Sequence, residues 1–312
     1  MKIAAFNIDA DPAVCYYSIH GLSQPVITDD PVYSSGLRRF LDLLDSEGIK
    51  GTFFITAFGF NEKNIPVLKE IVDRGHEIGN HSFSHDYRLT LMPTGEIEKD
   101  IAENHKFIEQ VSGYRCTGFR SPGYNSSPGI ISVLKKAGYS YDSSFFPSPL
   151  YYAAKWLLMK LKAFRGHRSM SMIYSFMDSI GGYKPVFIDK NVRDIVKEGN
   201  FAEIPITTLF PPLGVPLIGT SLIAFPSFVL KIMMKVSLMR SFINIETHGI
   251  DLCDRAESDI FAPLADVQPD LKYDLEHKLD RFRETIRFYK DNGYEFKTLS
   301  QIASMKKEGH EF

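Results

Sequence analysis

Two histidines four positions apart, His81 and His85, carry the first chemical signal in the chain. They lie in the segment 80–85, directly after a short strand-like stretch at 76–79. If the segment turns into a helix, both imidazoles reach one point. Neutral imidazole is the commonest side-chain ligand for zinc and its neighbours. On its own, such a pair is as typical of a solvated surface as of a metal site. Its interpretation therefore depends on the other residues that the fold brings near it.

The pair Asp9 and Asp11, separated by Ala10, offers carboxylates to the same centre. On an extended chain the two lie on one side, about 7 Å apart along it. One can join the histidines as a third metal ligand, while the other accepts a proton from a metal-bound water. Two histidines and one aspartate with open positions suit Zn²⁺, Co²⁺, Fe²⁺ or Mn²⁺, which lower the pKa of water and polarise a carbonyl. An isolated aspartate pair is more often a turn or cap.

Three further residues have chemistry that depends on where the fold places them. His248 ends an Ile-rich strand and could protonate a leaving amine, although a lone histidine there is more often a core or surface residue. Arg120 and Asp142 could form a plain ion pair. They could equally hold a catalytic carboxylate and a catalytic histidine in place.

The elements that must position these residues follow a repeated pattern of helix, glycine and short apolar strand, which occurs five times. This pattern predicts a βα architecture with a parallel sheet. A closed or nearly closed barrel fits better than an open sheet, because no GxGxxG follows the first strand at 2–8. In a barrel, chemistry is expected at the carboxyl ends of strands. The candidate residues follow five predicted strands.

The order and spacing of these segments resemble the NodB-homology polysaccharide deacetylases (carbohydrate esterase family 4). The matching segments are Ile8-Asp9-Ala10-Asp11, His81-Ser82-Phe83-Ser84-His85, Arg120-Ser121-Pro122-Gly123-Tyr124, Tyr141-Asp142-Ser143 and Thr247-His248. The resemblance covers roughly residues 1–145 and 241–300. It implies an α/β fold, a distorted, incomplete (β/α) barrel of the NodB-homology type with a long insertion, and a metal-dependent N-deacylase.

The resemblance also implies roles for the residues of the centre. Asp9 matches the general base, whereas Asp11, His81 and His85 match the metal ligands. Zn is the expected divalent ion, with Co, Mn, Fe or Ni as alternatives. His248 matches the general acid.

The other matching positions support this centre. Arg120 resembles the residue that orients the base, and Asp142 resembles the partner of the acid histidine. The turn at Tyr124 resembles the segment whose backbone N–H helps bind the oxyanion.

Two departures from the family pattern are visible. The usual adjacent aspartates are separated here by Ala10, and Gly123 stands where a tyrosine is usual, with Tyr124 after it. Both variants resemble the branch that includes the deformylase acting on undecaprenyl-phosphate-linked aminoarabinose. The resemblance therefore implies that the substrate is an amino sugar with an N-acetyl or N-formyl group. It also implies that this sugar can be linked to polyprenyl phosphate.

Length and composition are those of a soluble globular protein of one large domain or two ordinary ones. The 312 residues are 44% hydrophobic and 24% charged, and the net charge of −2 argues against a nucleic-acid partner. Three distant cysteines indicate neither a disulfide framework nor a zinc ribbon. The N-terminus has no signal-peptide layout. We therefore expect a cytoplasmic protein, with residues 1–312 as one deacetylase domain.

Between Asp142 and His248 lie 105 residues, far more than one βαβ step needs, and we assign 146–240 as an insertion. Residues 151–168 form a predicted basic amphipathic helix, and 204–230 contain no charge but five prolines, which disfavour a spanning helix. This predicts either peripheral contact with an anionic inner-membrane surface that carries a lipid-linked sugar, or a lid or subunit contact.

The sequence thus favours a metal-dependent hydrolase that removes an N-acyl group from an amino sugar, carried on a lipid at the cytoplasmic membrane face. A deacetylase of soluble or polymeric N-acetyl sugars is the alternative within enzymes. A metal-free barrel that only binds carbohydrate is the alternative from a different class.

Overall fold

The computed structural model describes residues 1–164 and 179–312 and shows a mixed α/β fold built on a parallel sheet. The strands are β1 Lys2–Ala10, β2 Thr52–Ile55, β3 Glu77–Asn80, β4 Gly118–Phe119, β5 Tyr141–Asp142, β6 Val186–Ile188, β7 Ile195–Val196, β8 Ala202–Glu203, β9 Thr208–Leu209, β10 Val215–Pro216, β11 Phe242–His248 and β12 Tyr294–Phe296. The helices are α1 Ala13–His20, α2 Leu37–Ser46, α3 Pro66–Asp73, α4 Thr94–Ser112, α5 Pro128–Lys136, α6 Pro149–Phe164, α7 Gly219–Ala224, α8 Ser227–Ser237, α9 Leu275–Asp291 and α10 Leu299–Lys307.

Strand β1 is the centre of the sheet. It is buried from Ile3 onward and pairs in parallel with β11 on one side and with β2 and β12 on the other. Such a near-continuous apolar run is typical of a strand covered on both faces. The strand order is β11-β1-β2-β3-β4-β5-β8-β6-β7, in which β6 and β7 are antiparallel additions. All strands from β11 to β5 therefore present their carboxyl ends at one edge.

The sheet is an incomplete barrel, as the sequence predicts. Within the described residues no ladder joins the edge strands β11 and β7. The chain after β8 instead crosses to β11: the Ile204 N–H donates to Asp142 O at 2.9 Å, and the Thr207 N–H donates to Asn244 O at 3.0 Å. The amide of Asn244 also donates to Pro205 O at 3.1 Å. This crossing segment covers the edge of β11 without forming a regular strand.

Helix boundaries depend on local caps as much as on apolar periodicity. Ser127 accepts a hydrogen bond from Ile130 N and starts α5 at Pro128, as predicted from the Ser-Pro pair. Asp274 accepts from His277 N and starts α9 at Leu275. Residues 269–272 form a separate turn of 3₁₀ helix.

The insertion contributes α6, the strands β6, β7 and β8 of the main sheet, the β9–β10 pair, α7 and α8. The charge-free stretch 204–230 is buried inside the protein at many positions, including Ile204, Leu209, Leu217, Leu222 and Leu230. Its apolar character thus reflects core packing. The predicted helix 151–168 begins earlier, at Pro149, and its residues 165–168 lie outside the described residues. None of the described helices combines the length and apolarity needed to span a bilayer.

Candidate metal centre and active site

The carboxyl ends of the parallel strands bring together most of the predicted site residues. Asp9 lies opposite His248 in the register of β1 and β11. His81 follows β3, and Arg120 follows β4. One pocket is lined by Asp9, Asp11, His81, Tyr124 and His248 among others. The candidate chemistry therefore lies at one mouth of the incomplete barrel.

Asp11, His81 and His85 form a cluster whose nitrogen and oxygen atoms suit a cation. The Nε2 atoms of His85 and His81 lie 2.9 and 3.3 Å from the same oxygen, Oδ1 of Asp11. All three side chains are buried, and Asp11 Oδ1 and His85 Nε2 have no hydrogen-bond partner of good geometry apart from this mutual contact. Buried polar atoms without partners are rare. The atoms here point to one place, and imidazole nitrogen and carboxylate oxygen are ligands that Zn²⁺ prefers. The residues present therefore fit a divalent metal ion.

The carboxylate and the imidazoles of the cluster shift one another's pKa values. Burial raises the pKa of the Asp11 carboxyl, but the adjacent His85 and His81 outweigh burial and hold that pKa well below its usual value. Burial lowers the pKa of His85, and Asp11 reverses this and raises it to about 10. Without a metal, the site is thus two imidazoles sharing one carboxylate, and a bound cation would replace the protons of the imidazoles.

The two histidines converge through a loop, so the prediction of a helix at 81–85 is wrong. Ser82 and His85 have φ values of 65° and 51°, which a helix does not contain. The loop is held by Asp100, whose carboxylate accepts from the N–H groups of Phe83 and Ser84 at 2.8 and 3.1 Å. The convergence of the imidazoles therefore depends on a polar contact with α4.

Each histidine has a partner on its second ring nitrogen. His81 Nδ1 lies 2.7 Å from the backbone oxygen of Arg120, which accepts its proton and leaves Nε2 to face Asp11. His85 Nδ1 lies 3.3 Å from Cys15 Sγ. Such contacts orient metal-binding imidazoles and select their tautomer. Contacts at both ring nitrogens thus fix the orientation of His81 and of His85.

Asp9 is separated from the cluster by its pairing with a buried arginine. Arg120 Nη1 donates to Asp9 Oδ1 at 2.6 Å, and its other nitrogens donate to the backbone and side-chain oxygens of Ser143. The guanidinium also lies 4.2 Å from the Phe54 ring centroid. The second oxygen, Asp9 Oδ2, lies 3.9 Å from His81 Nε2. Arg120 thus orients Asp9 with one oxygen toward the cluster.

His248 is paired with Glu246, and the predicted pairing of His248 with Asp142 is wrong. Glu246 Oε1 lies 3.0 Å from His248 Nδ1. Asp142 instead accepts from Ser144 Oγ at 2.5 Å and Ser126 Oγ at 3.4 Å. Asp142 ends β5 opposite Glu203 of β8, in the direction away from β11. The partners of Asp142 are thus serines, and the carboxylate paired with His248 is that of Glu246.

Glu246 is the functional residue that the sequence interpretation missed. It is fully buried on β11, two residues before His248, so both side chains point to one face of the strand. This spacing of two is the signal that could have identified it. Burial lowers the pKa of His248, but Glu246 and the nearby aspartates outweigh burial and raise it to about 10. The adjacent carboxylates thus favour the protonated form of the imidazole.

Tyr124 enters the site through its hydroxyl. Its N–H donates to Ser121 O at 3.1 Å within the turn, so the predicted backbone oxyanion donor is already engaged. Its hydroxyl lies 3.4 Å from His248 Nε2. The preceding Gly123 has φ 67°, and a Cβ there would clash with the ring of Tyr87. The glycine at this departure from the family pattern makes room for Tyr87.

The family comparison agrees with this centre. The sequence profile of the polysaccharide deacetylase family matches residues 25–141, which contain His81, His85 and Arg120. This match covers less than half of the chain. Asp9, Asp11 and His248 lie outside the match. The similarity thus covers part of the chain, and the structure brings the other three residues to the same mouth.

Several relatives of this chain are named as peptidoglycan deacetylases. The peptidoglycan-N-acetylglucosamine deacetylase of Bacillus cereus is 33% identical over 110 residues, 35% of this chain and 49% of the relative. The peptidoglycan deacetylase of Helicobacter pylori is 30% identical over 149 residues, 46% and 49% of the two chains. The peptidoglycan-N-acetylmuramic acid deacetylase PdaA of Bacillus subtilis is 30% identical over 116 residues, 36% and 43%. The chain covers less than half the length of each.

Solved structures show the same fold as this chain. A candidate polysaccharide deacetylase from Mycobacterium smegmatis matches with a TM-score of 0.55 at 18% identity, covering 97% of this chain and 90% of that one. A pseudoenzyme of carbohydrate esterase family 4 from Bacillus anthracis matches with a TM-score of 0.50 at 12% identity, covering 97% and 65%. These matches confirm the predicted NodB-type α/β fold. Because one of them is a pseudoenzyme, the fold alone does not decide activity.

Proposed function

We propose that this protein is a metal-dependent hydrolase that removes an N-acyl group from an amino sugar. The observation that carries the proposal is the convergence of Asp11, His81 and His85 on one point, with Asp9 and His248 beside it. A set of two imidazoles and one carboxylate leaves coordination positions open for water and substrate. Zn²⁺ is the favoured ion, with Co²⁺, Mn²⁺, Fe²⁺ or Ni²⁺ as alternatives.

The residues around the ligands have separate tasks in amide hydrolysis. A divalent cation at Asp11, His81 and His85 would polarise the amide carbonyl and lower the pKa of water. Asp9, oriented by Arg120, accepts the proton of the attacking water. His248, kept protonated by Glu246, donates a proton to the leaving amine. The hydroxyl of Tyr124, 3.4 Å from His248 Nε2, faces the same space.

We further propose that the sugar is carried on a polyprenyl phosphate at the cytoplasmic face of the membrane, where the protein binds peripherally. Support comes from α6, which has two different faces. Tyr151 and Lys155 line the pocket, whereas Leu157, Leu161 and Phe164 are 53%, 47% and 92% exposed. An exposed apolar stripe at the rim of a site suits insertion into a lipid interface. The acyl group is acetyl or formyl.

Two alternatives to this proposal differ from it in the substrate or in the kind of function. A polymeric or soluble N-acetyl sugar is favoured by the peptidoglycan relatives named above. A barrel that binds carbohydrate without cleaving it is favoured by the existence of a pseudoenzyme with this fold. The complete set of Asp11, His81 and His85 argues for catalysis.

A mass-spectrometric screen separates these functions. The metal-loaded protein is incubated with lipid-linked, free and polymeric N-acetyl and N-formyl amino sugars, and products are followed by the mass lost with the acyl group. We expect deacylation of the lipid-linked sugar first, and none by the Asp9→Asn variant. Cleavage of polymer alone would favour the peptidoglycan-type function, and binding without cleavage by the wild type would favour the non-catalytic barrel.

A further inference from the structure

Lys155 is a positive charge that the insertion places at the pocket. It lies on α6 and lines the same pocket as Asp9, His81 and His248. Its ammonium lies 6.0 Å from the ring centroid of Tyr87 and 5.8 Å from that of Tyr151. Aromatic faces at this distance attract a cation but do not neutralise it. The side chain is thus held beside the site by two tyrosines.

No acidic side chain of residues 1–164 and 179–312 forms an ion pair with Lys155. The carboxylates of the pocket have other partners: Asp9 is paired with Arg120, Asp11 faces the histidines, and Asp270 accepts from Gln268 Nε2 at 2.6 Å. Burial lowers the pKa of Lys155 to about 8, so the group is still mostly protonated at neutral pH. The side chain is half-buried, and a partly buried cation without a counter-ion is stabilised when a ligand supplies the negative charge.

Another lysine of α6, Lys160, has different surroundings from Lys155. Lys160, one turn further along, is exposed, and its ammonium lies 5.7 Å from the Trp156 ring centroid. Water can solvate Lys160 fully, whereas Lys155 faces the protein. The two lysines therefore differ in their surroundings although they belong to the same helix, and Lys160 provides a matched control.

We propose that Lys155 binds an anionic group of the substrate, a phosphate or carboxylate attached to the N-acyl amino sugar. The inference rests on the proposed function, because it takes the pocket at Asp11, His81 and His85 as the substrate site. A lysine ammonium is a compact point charge that pairs well with phosphate. Tyr87 and Tyr151 hold the ammonium in place before the substrate arrives. Lys155 thereby selects charged sugars over neutral ones.

Calorimetric titration of the zinc-loaded protein tests this selectivity without requiring turnover. The probes are N-acetylglucosamine, its 1-phosphate, and N-acetylmuramic acid, which carries a carboxylate. Wild type should bind one of the anionic sugars about tenfold or more tightly than the neutral one, which corresponds to about 1.4 kcal/mol. Lys155→Met should remove this preference while leaving affinity for the neutral sugar unchanged. Lys155→Arg and Lys160→Met should keep it.

The outcomes separate the failure of this inference from that of the proposed function. A preference for the phosphate that survives in Lys155→Met would assign the anion to the metal and overturn the role of Lys155. Equal affinity for all three sugars in wild type, or binding of none, would also overturn it. Selective binding that depends on Lys155 without any deacylation would support the anion site and contradict the enzymatic proposal. Whichever of the two anionic sugars binds more tightly shows whether the site prefers a phosphate or a carboxylate.

Discussion

At the scale of single residues, Asp9 and Asp11 lie on one strand end but in different electrostatic surroundings. Asp9 is bound by the Arg120 guanidinium at 2.6 Å, whereas Asp11 faces two imidazole nitrogens at 2.9 and 3.3 Å. A carboxylate paired with arginine keeps one oxygen for a proton, while one among imidazoles completes a metal site. The same residue type therefore serves two tasks.

Substitution by asparagine separates the two aspartates. Asp9→Asn should keep the metal but lose about 10²–10⁴-fold in turnover, because a proton acceptor is removed. Asp11→Asn should lower the metal affinity, because a ligand charge is removed. Metal content by mass spectrometry and turnover on the same samples check both. An equal loss of metal in the two variants would show that the roles are exchanged or shared.

The Glu246–His248 pair predicts a specific pH dependence. His248 must be protonated to act as an acid, so activity falls as pH rises through its pKa. Glu246 raises that pKa, and Glu246→Gln should therefore move the alkaline limb of kcat/KM to lower pH by about 1 to 3 pH units. Asp142→Asn, which lies away from His248, is the control and should leave this limb in place. An unchanged limb in Glu246→Gln would argue against the pair.

The residues could be predicted from the sequence to different extents. The convergence of Asp11, His81 and His85 was predictable, because side chains that can bind a metal have characteristic types and spacing. The partner of His248 was not, because strand-end position does not reveal strand order. Asp142 lies on β5, whereas Glu246 lies on the same strand as the histidine. Lys155 was recognised only as part of a basic helix, since its orientation depends on packing.

At the scale of elements, α6 combines a pocket face and an exposed apolar face. The regular helix–glycine–strand pattern made the parallel sheet predictable, because apolar periodicity encodes burial. The 81–85 loop was not predictable in this way, because positive φ values and the Asp100 contacts leave no periodic signal. The burial of 204–230 also depends on long-range packing.

The exposed face of α6 predicts binding to anionic liposomes that weakens at high salt. A Trp156→Glu, Leu157→Glu variant should bind about tenfold more weakly or worse, because each apolar side chain contributes up to a few kcal/mol on burial. Both side chains are more than half exposed, so the fold should be unaffected. Sedimentation with vesicles measures this, and cleavage of a water-soluble substrate should be retained.

Ile195→Glu is the matched control for that variant, because Ile195 is 55% exposed on β7 and distant in sequence from α6. It should bind vesicles as wild type does. If wild type ignores vesicles, or if Ile195→Glu weakens binding equally, α6 is better explained as a lid or a subunit contact.

At the scale of the whole molecule, the incomplete barrel and the insertion form one site. The segment 204–207 crosses from β5 to β11 through hydrogen bonds to Asp142 O and Asn244 O. The same insertion supplies Tyr151 and Lys155 to the pocket. The strands position the candidate chemical groups, and under the proposed function the insertion adds the groups that contact the rest of the substrate.

The most direct test of metal-dependent deacylation is turnover measured against metal occupancy. The protein is freed of metal with a chelator and titrated with Zn²⁺, while released acyl group and bound metal are measured together. We predict that activity is absent without metal, rises in proportion to occupancy and saturates at about one ion per chain, and that His81→Ala neither binds tightly nor turns over. The exposed His310→Ala should behave as wild type. Full activity in the metal-free protein, or in His81→Ala, would contradict the account.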